Sequence, residues 1–210
     1  KKFKICDKNI FFLKLIMKIV AIIQARMGST RLSNKTMRLI NNKPMIELLL
    51  KRVSKSKLIN QIVVATSKNN DNLPLIRHVE SLGFKCEQGS ENDVLDRYLQ
   101  VAKNSKADLI VRITGDCPLI DPLLVDECIE KSINSNVDYC SNINPPTYPD
   151  GLDVEVIKFS ALKKASRLTS DSFNREHVTP FIISSNTFSK LNIKNIENLS
   201  NLRLTVDNTE

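Results

Sequence analysis

Residues 18–35 read KIVAIIQARMGSTRLSNK, an apolar run that opens directly into a polar loop of cations and small residues. The run 18–24 has the length of a strand. Its apolar residues follow one another instead of alternating, as they do in strands covered on both faces. The loop then brings Arg26, Arg31 and Lys35 together with Ala25, Gly28, Ser29 and Thr30. In α/β sheets ligands gather beyond the carboxyl ends of strands, so the loop stands where a ligand belongs. A triphosphate needs such a combination: backbone N–H groups that small residues leave approachable, hydroxyl donors, and cations at several reaches. The spacing is neither that of a P-loop nor that of a G-x-G-x-x-G turn. A solvated basic loop is the plainer alternative, and the position after a strand favours the phosphate role.

Outward from this stretch, residues 61–65 (QIVVA) and 109–113 (LIVRI) repeat the continuous apolar strand pattern. Helical periodicity separates them, over 44–54, 73–82 and 93–103, and a further helix is expected over 121–131. Pro44 suits a first helical position, Gly83 a C-terminal cap, and Asp121 before Pro122 an N-cap. A Pro-rich loop over 144–150, a strand over 152–157, two helices and a last strand over 202–206 complete the chain. The alternation predicts an α/β fold, a mostly parallel twisted sheet with helices on both faces in the Rossmann-like manner. There is no internal repeat and no linker, so residues 17–210 read as one domain.

Composition narrows the function. The chain has 210 residues and a net charge of +8. The leader, residues 1–16, holds five Lys against one Asp and so carries half of that charge; it reads as an N-terminal extension with no catalytic role. Aromatics are 5% with no Trp, too few for the stacking platforms of a nucleic-acid binder. A small anionic ligand suits the mild basicity of the rest. The five cysteines are odd in number and scattered without zinc-ligand spacing, which implies reduced thiols and a cytoplasmic protein. No run reaches the roughly 20 apolar residues of a membrane span, so no membrane partner is expected.

Other polar segments follow strands. Gly115 in T-G-D-C-P lets the backbone turn and Asp116 project. Asp116 could simply cap the next helix, but Asp121 already suits that job, which favours a metal role for Asp116. In D-G-L-D-V-E, residues 150–155, Asp153 and Glu155 would share one face of a strand. With Asp150, Gly151 and the segment Arg175-Glu176-His177 they offer contacts for a sugar carboxylate and hydroxyls; a surface ion-pair cluster is the equal alternative. Arg97 is placed four residues after Asp93, as in a helix-surface pair. His78, in a helix and near no motif, reads as structural.

The ordered strings I-I-Q-A-R-M-G-S-T-R-L, N-K-P-M-I-E, V-V-A-T-S, G-S-E-N-D-V-L-D-R-Y, V-R-I-T-G-D-C-P-L-I-D-P, D-G-L-D-V-E, R-E-H-V-T-P and R-L-T-V-D resemble the spore-coat polysaccharide cytidylyltransferase family. That family is similar in turn to the acylneuraminate and 3-deoxy-manno-octulosonate cytidylyltransferases. The resemblance implies a nucleotide-diphospho-sugar transferase-like fold and transfer of CMP from CTP to an acidic sugar, with pyrophosphate released and Mg²⁺ as cofactor. Asp116 and Asp207 would hold the Mg²⁺. Ala65, Thr66 and Ser67 would read the cytosine, and Gly89, Ser90, Asp93 and Arg97 would lie beside the nucleotide. Arg26, Arg31 and Lys35 would stabilise the departing pyrophosphate. The partners implied are CTP and a sugar acid, with room for a homodimer. This chain has L-S-N-K at 32–35 where the family usually shows L-P-G-K, and it ends at Glu210 where members usually continue into a further helix. Two other functions remain to be weighed: a glycosyltransferase consuming a nucleotide sugar, whose D-x-D motif Asp153-Val154-Glu155 approaches, and a non-catalytic nucleotide-binding module.

Overall fold

The computed structural model describes residues 17–28 and 32–207. Seven strands form one sheet in the order β5-β4-β1-β6-β8-β7-β9. They are β1 (Ile19–Gln24), β4 (Gln61–Ser67), β5 (Lys85–Gly89), β6 (Leu109–Thr114), β7 (Tyr139–Ser141), β8 (Glu155–Lys158) and β9 (Lys190–Asn192). The first four run parallel, β8 lies antiparallel to both β6 and β7, and β7 pairs parallel with β9. A two-stranded ribbon, β2 (Leu39–Ile40) with β3 (Lys43–Pro44), stands apart. The helices are α1 (Met45–Val53), α2 (Leu73–Ser81), α3 (Val94–Asn104), α4 (Pro122–Ser135), α5 (Phe159–Leu168), α6 (Ser172–His177) and α7 (Pro180–Ser184).

The apolar run of β1 is continuous because helices cover both of its faces. Ile19, Ala21 and Ile23 pack into one core with Ile46, Leu50 and Leu124. Val20 and Ile22, pointing the other way, join a second core with Leu95, Tyr98 and Leu162. Ile19 to Ile23 are all fully buried, and each large side chain so removed from water contributes roughly 1.5–3 kcal/mol.

Several expectations are corrected. The segment 202–206 forms no strand; it touches its neighbour through a single parallel bridge, Asp150 to Arg203. The strand expected over 152–157 is Glu155–Lys158, so Asp153 precedes the strand instead of sharing its face with Glu155. Three helices, not two, follow it. Pro44 stands just before α1, in β3, instead of at its first position, and α4 runs past the expected 131 to Ser135, where Asn136 in the left-handed region (φ 51°) ends it. Gly83 follows α2 with φ +83°, a conformation glycine adopts without strain. The edge strand β5, sequence KCEQG, and the three-residue strands β7 and β9 carry too little apolar pattern to be read beforehand.

Candidate active site

The carboxyl ends of β1, β4 and β6 are laced together by main-chain bonds. Ala25 N donates to Ala65 O (3.2 Å) and Gly115 N to Gln24 O (2.9 Å). A Cβ on Gly115 would lie 2.8 Å from Gln24 O, so the approach of these turns requires glycine there. Asn72, buried and invisible to motif reasoning, fixes the first loop to the end of β4. Its Oδ1 accepts from Met27 N at 2.9 Å, while its Nδ2 donates to Ser67 Oγ at 2.8 Å and Ser67 O at 3.1 Å. Only its place just past a strand end could have marked it out.

Above this edge two carboxylates meet one ammonium. Lys35 Nζ lies 3.0 Å from Asp116 Oδ2 and 2.8 Å from Asp207 Oδ1, and its side chain is only 15% exposed. Burial alone would depress the Lys35 pKa; the hydrogen bond to Asp207 and the charge of Asp116 outweigh it and leave a net rise. Asp207 arrives without a strand beneath it. Leu204 N donates to Asp150 O (2.7 Å), Asp150 N to Leu202 O (3.0 Å), and Val206 N to Asp116 O (3.1 Å), so the segment 202–207 is stitched along Asp150 and Asp116. Arg203, which the motifs did not single out, bonds the other oxygen of Asp207 and lies 3.7 Å from Asp150 Oδ2. It opens the R-L-T-V-D string, four residues before Asp207, and that spacing was its signal.

Asp153 belongs to the same acidic neighbourhood. Burial, then the charges of Asp150, Glu155 and Asp116, push its pKa up to about 6. Cys117 lies beside Asp116, with its Sγ 3.7 Å from Oδ1, but burial pushes this thiol far up and keeps it protonated. Cys86, Cys117, Cys128 and Cys140 are all free thiols; Cys6 lies outside the described residues.

The nucleotide-side residues divide. Thr66 is fully buried at the end of β4, and its hydroxyl has no hydrogen-bond partner among the described residues. Arg97 does not pair with Asp93 on the helix surface. It is 3% exposed and packs against Gly89, where a Cβ would come 2.8 Å from Arg97 Cγ. Its Nη1 donates to Ser90 O at 2.6 Å, and burial lowers its pKa. The Asp93 carboxylate instead caps α3 at Asp96 N and accepts from Arg175 Nε at 2.6 Å. Arg26 is exposed and 3.4 Å from Glu91 Oε1. Ser29, Thr30 and Arg31 lie outside the described residues, as do residues 1–16; Gly28 is described and exposed.

The sugar-side residues are not all gathered. Asp150, Gly151 and Asp153 border the acidic pair, whereas Glu155 is buried on Arg112 and accepts from Tyr139 Oη at 2.6 Å. Arg175, besides holding Asp93, donates to Ser166 O and Thr169 O, so its guanidinium serves the fold where a bidentate sugar contact was expected. Glu176 and His177 are exposed on α6. His78 sits 3.3 Å from Glu47 Oε2 between α2 and α1, as a structural residue would.

At the carboxyl edge of a mostly parallel sheet, Lys35 from the loop after β1 joins two converging carboxylates, and the match to known proteins makes the chain a nucleotidyltransferase. The chain belongs to the cytidylyltransferase family, whose sequence profile matches residues 20–207. It is 36% identical over 169 residues to the spore coat polysaccharide biosynthesis protein SpsF of Bacillus subtilis, covering 78% of this chain and 69% of that protein. It is also 38% identical over 115 residues to the 3-deoxy-manno-octulosonate cytidylyltransferase of Geotalea daltonii, a match spanning 54% of this chain and 44% of that enzyme. The solved structure of a cytidylyltransferase from Leptospira borgpetersenii superposes with a TM-score of 0.88 at 32% identity, over 91% of this chain and 82% of that one. Among the described residues no helix is long and apolar enough to cross a membrane.

Proposed function

We propose that the chain transfers the cytidylyl group of CTP to a hydroxyl of an acidic sugar, releasing pyrophosphate, in the synthesis of a surface polysaccharide or glycan. The observation that carries this reading is the convergence of Asp116 and Asp207 on one cationic nitrogen at the edge where the first loop ends. The names of the similar Bacillus and Geotalea proteins support the sugar class.

The donor set fits Mg²⁺. That ion is bound by one or two carboxylates together with substrate phosphates, and Asp116 and Asp207 offer two hard oxygen donors beside a thiol that stays protonated. Bound there, Mg²⁺ would neutralise charge on the phosphates and polarise the α-phosphorus.

In the transfer the sugar oxygen forms a bond to the α-phosphorus while the bond from that phosphorus to pyrophosphate breaks, so positioning and charge neutralisation dominate the protein's part. Lys35, released from the carboxylates, and Arg26 supply positive charge to the departing pyrophosphate, joined by Arg31 by resemblance. By resemblance the cytosine lies over the end of β4, whose last residues, Ala65, Thr66 and Ser67, are buried. Gly89, Ser90 and Arg97 form the wall beside it. Asp153, beside the acidic pair, is left as a contact for the sugar.

The experiment is a pyrophosphate-release screen of the four nucleoside triphosphates against sugar acids and sugar phosphates with Mg²⁺. Release only with CTP and a sugar acid is expected. Release with a sugar phosphate alone would replace the acceptor class, and no release from any pair would remove the proposed reaction.

A further inference from the structure

Lys35 occupies the very place that the proposed function gives to a metal. Its ammonium touches one oxygen of Asp116 and one of Asp207, so those oxygens are no further apart than the sum of the two contact lengths. The other oxygen of Asp207 is taken by Arg203, and the side chains of Lys35 and Asp207 are 15% and 9% exposed. Two partly buried carboxylates facing each other would repel; a cation between them is required, and the fold supplies one from its own chain. Lys35 reaches this position from the first residue of a short 3₁₀ turn. Its own backbone N–H donates to Leu32 O at 3.2 Å, and Asn34 before it adopts the left-handed region at φ 55°.

We infer that Lys35 is a displaceable stand-in for the metal: it holds Asp116 and Asp207 together until a divalent cation takes them, and the displaced ammonium is then available to the triphosphate. This rests on the assignment of Asp116 and Asp207 as the metal ligands. The two cations cannot share these oxygens, so the metal must compete with Lys35 when it arrives alone. A nucleotide gives Lys35 another anion and removes that competition. Metal and triphosphate therefore help each other to bind, because whatever favours the displaced lysine favours both. Free metal would bind weakly, which keeps the ion from settling in the site without its nucleotide.

The test is Mn²⁺ binding to the metal-free protein without nucleotide, followed by electron paramagnetic resonance of the free ion. Lys35→Met and Lys35→Gln should each bind Mn²⁺ roughly tenfold or more tightly than the wild type, since an adjacent unit charge has gone. Adding Asp116→Asn to Lys35→Met should abolish the gain. Melting curves establish that each variant is folded. A second measurement needs no variant: reductive methylation of Lys35, read by mass spectrometry, should quicken when Mg²⁺ is added, while exposed Lys103 is unaffected. Unchanged or weaker Mn²⁺ affinity in both Lys35 variants, with binding still lost in Asp116→Asn, would overturn the stand-in role and leave the metal ligands in place. Mn²⁺ binding indifferent to Asp116→Asn in every background would instead overturn the metal assignment, and this inference with it. Lys35 methylation unmoved by saturating Mg²⁺ would also count against displacement.

Discussion

Asp116 and Asp207 converge on Lys35 Nζ and are proposed to share one metal, which their replacement tests. Asp116→Asn and Asp207→Asn are each expected to lower turnover by roughly 100-fold or more. The double variant should be little worse than the poorer single one, because groups that act as a unit are strongly non-additive. Independent, multiplying losses in steady-state kinetics would assign the two residues to different steps. Asp153 makes a different prediction, one of pH. Its pKa rises from 3.8 unfolded to about 6 folded. Between those values the folded protein binds more protons than the unfolded chain, so this group's contribution to stability falls as pH rises through the window and is lost in full above about pH 6. Asp153→Asn removes the buried charge. It should stabilise the metal-free protein at pH 8 by on the order of 1 kcal/mol, discounted for partial exposure, and the gain should vanish near pH 4. Urea melts at the two pH values measure it, and an equal effect at both would deny the shift. Asp116 was legible as a candidate because it lies just past a strand, Asp207 through the family resemblance, and Asp153 through the D-G-L-D-V-E alternation. That Glu155 would be buried on Arg112 and Tyr139 was not legible, since the three residues meet only when β6, β8 and β7 lie side by side.

At the scale of elements, the weakest reading was the segment that carries Asp207. Its apolar residues suggested a strand, yet it is a non-strand segment tied to Asp150 and Asp116. Gly151 makes that seam possible. Its φ is +101°, and an added Cβ would lie 2.8 Å from Leu204 C and from Thr205 N, both backbone atoms that cannot swing aside. Gly151→Ala should therefore cost about 1–3 kcal/mol of stability. It should also weaken metal binding through the displaced Asp207. Chemical denaturation and Mn²⁺ titration of the same preparation check both effects; a destabilised variant with wild-type metal affinity would show that the seam does not place Asp207. The first three helices, by contrast, were read nearly to their ends. Asp121, read as a cap, accepts from Leu123 N at the start of α4, local chemistry that sequence records directly, whereas the cap that Asp93 makes at Asp96 N was not read.

On the scale of the whole molecule, one sheet buries two cores and leaves its carboxyl edge polar, so stability and binding occupy different parts of the same strands. The base pocket expected at the end of β4 should make CTP bind more tightly than ATP, GTP or UTP. Calorimetry with each Mg-nucleotide is the check, and equal affinities would cancel the base assignment while sparing the phosphate loop.

The sequence by itself determined the α/β class, the central strands, the helix caps and the polar loops in which a site must be sought. These follow from hydrophobic period and turn chemistry, which act over a few residues and are written locally. Only the tertiary structure decided which charges meet: Lys35 with Asp116 and Asp207, Arg175 with Asp93, Arg97 with Ser90 instead of Asp93. A charged side chain can satisfy any suitable partner that comes within reach, and residues far apart in the chain come within reach only through the order of strands in the sheet and the path of the chain between them.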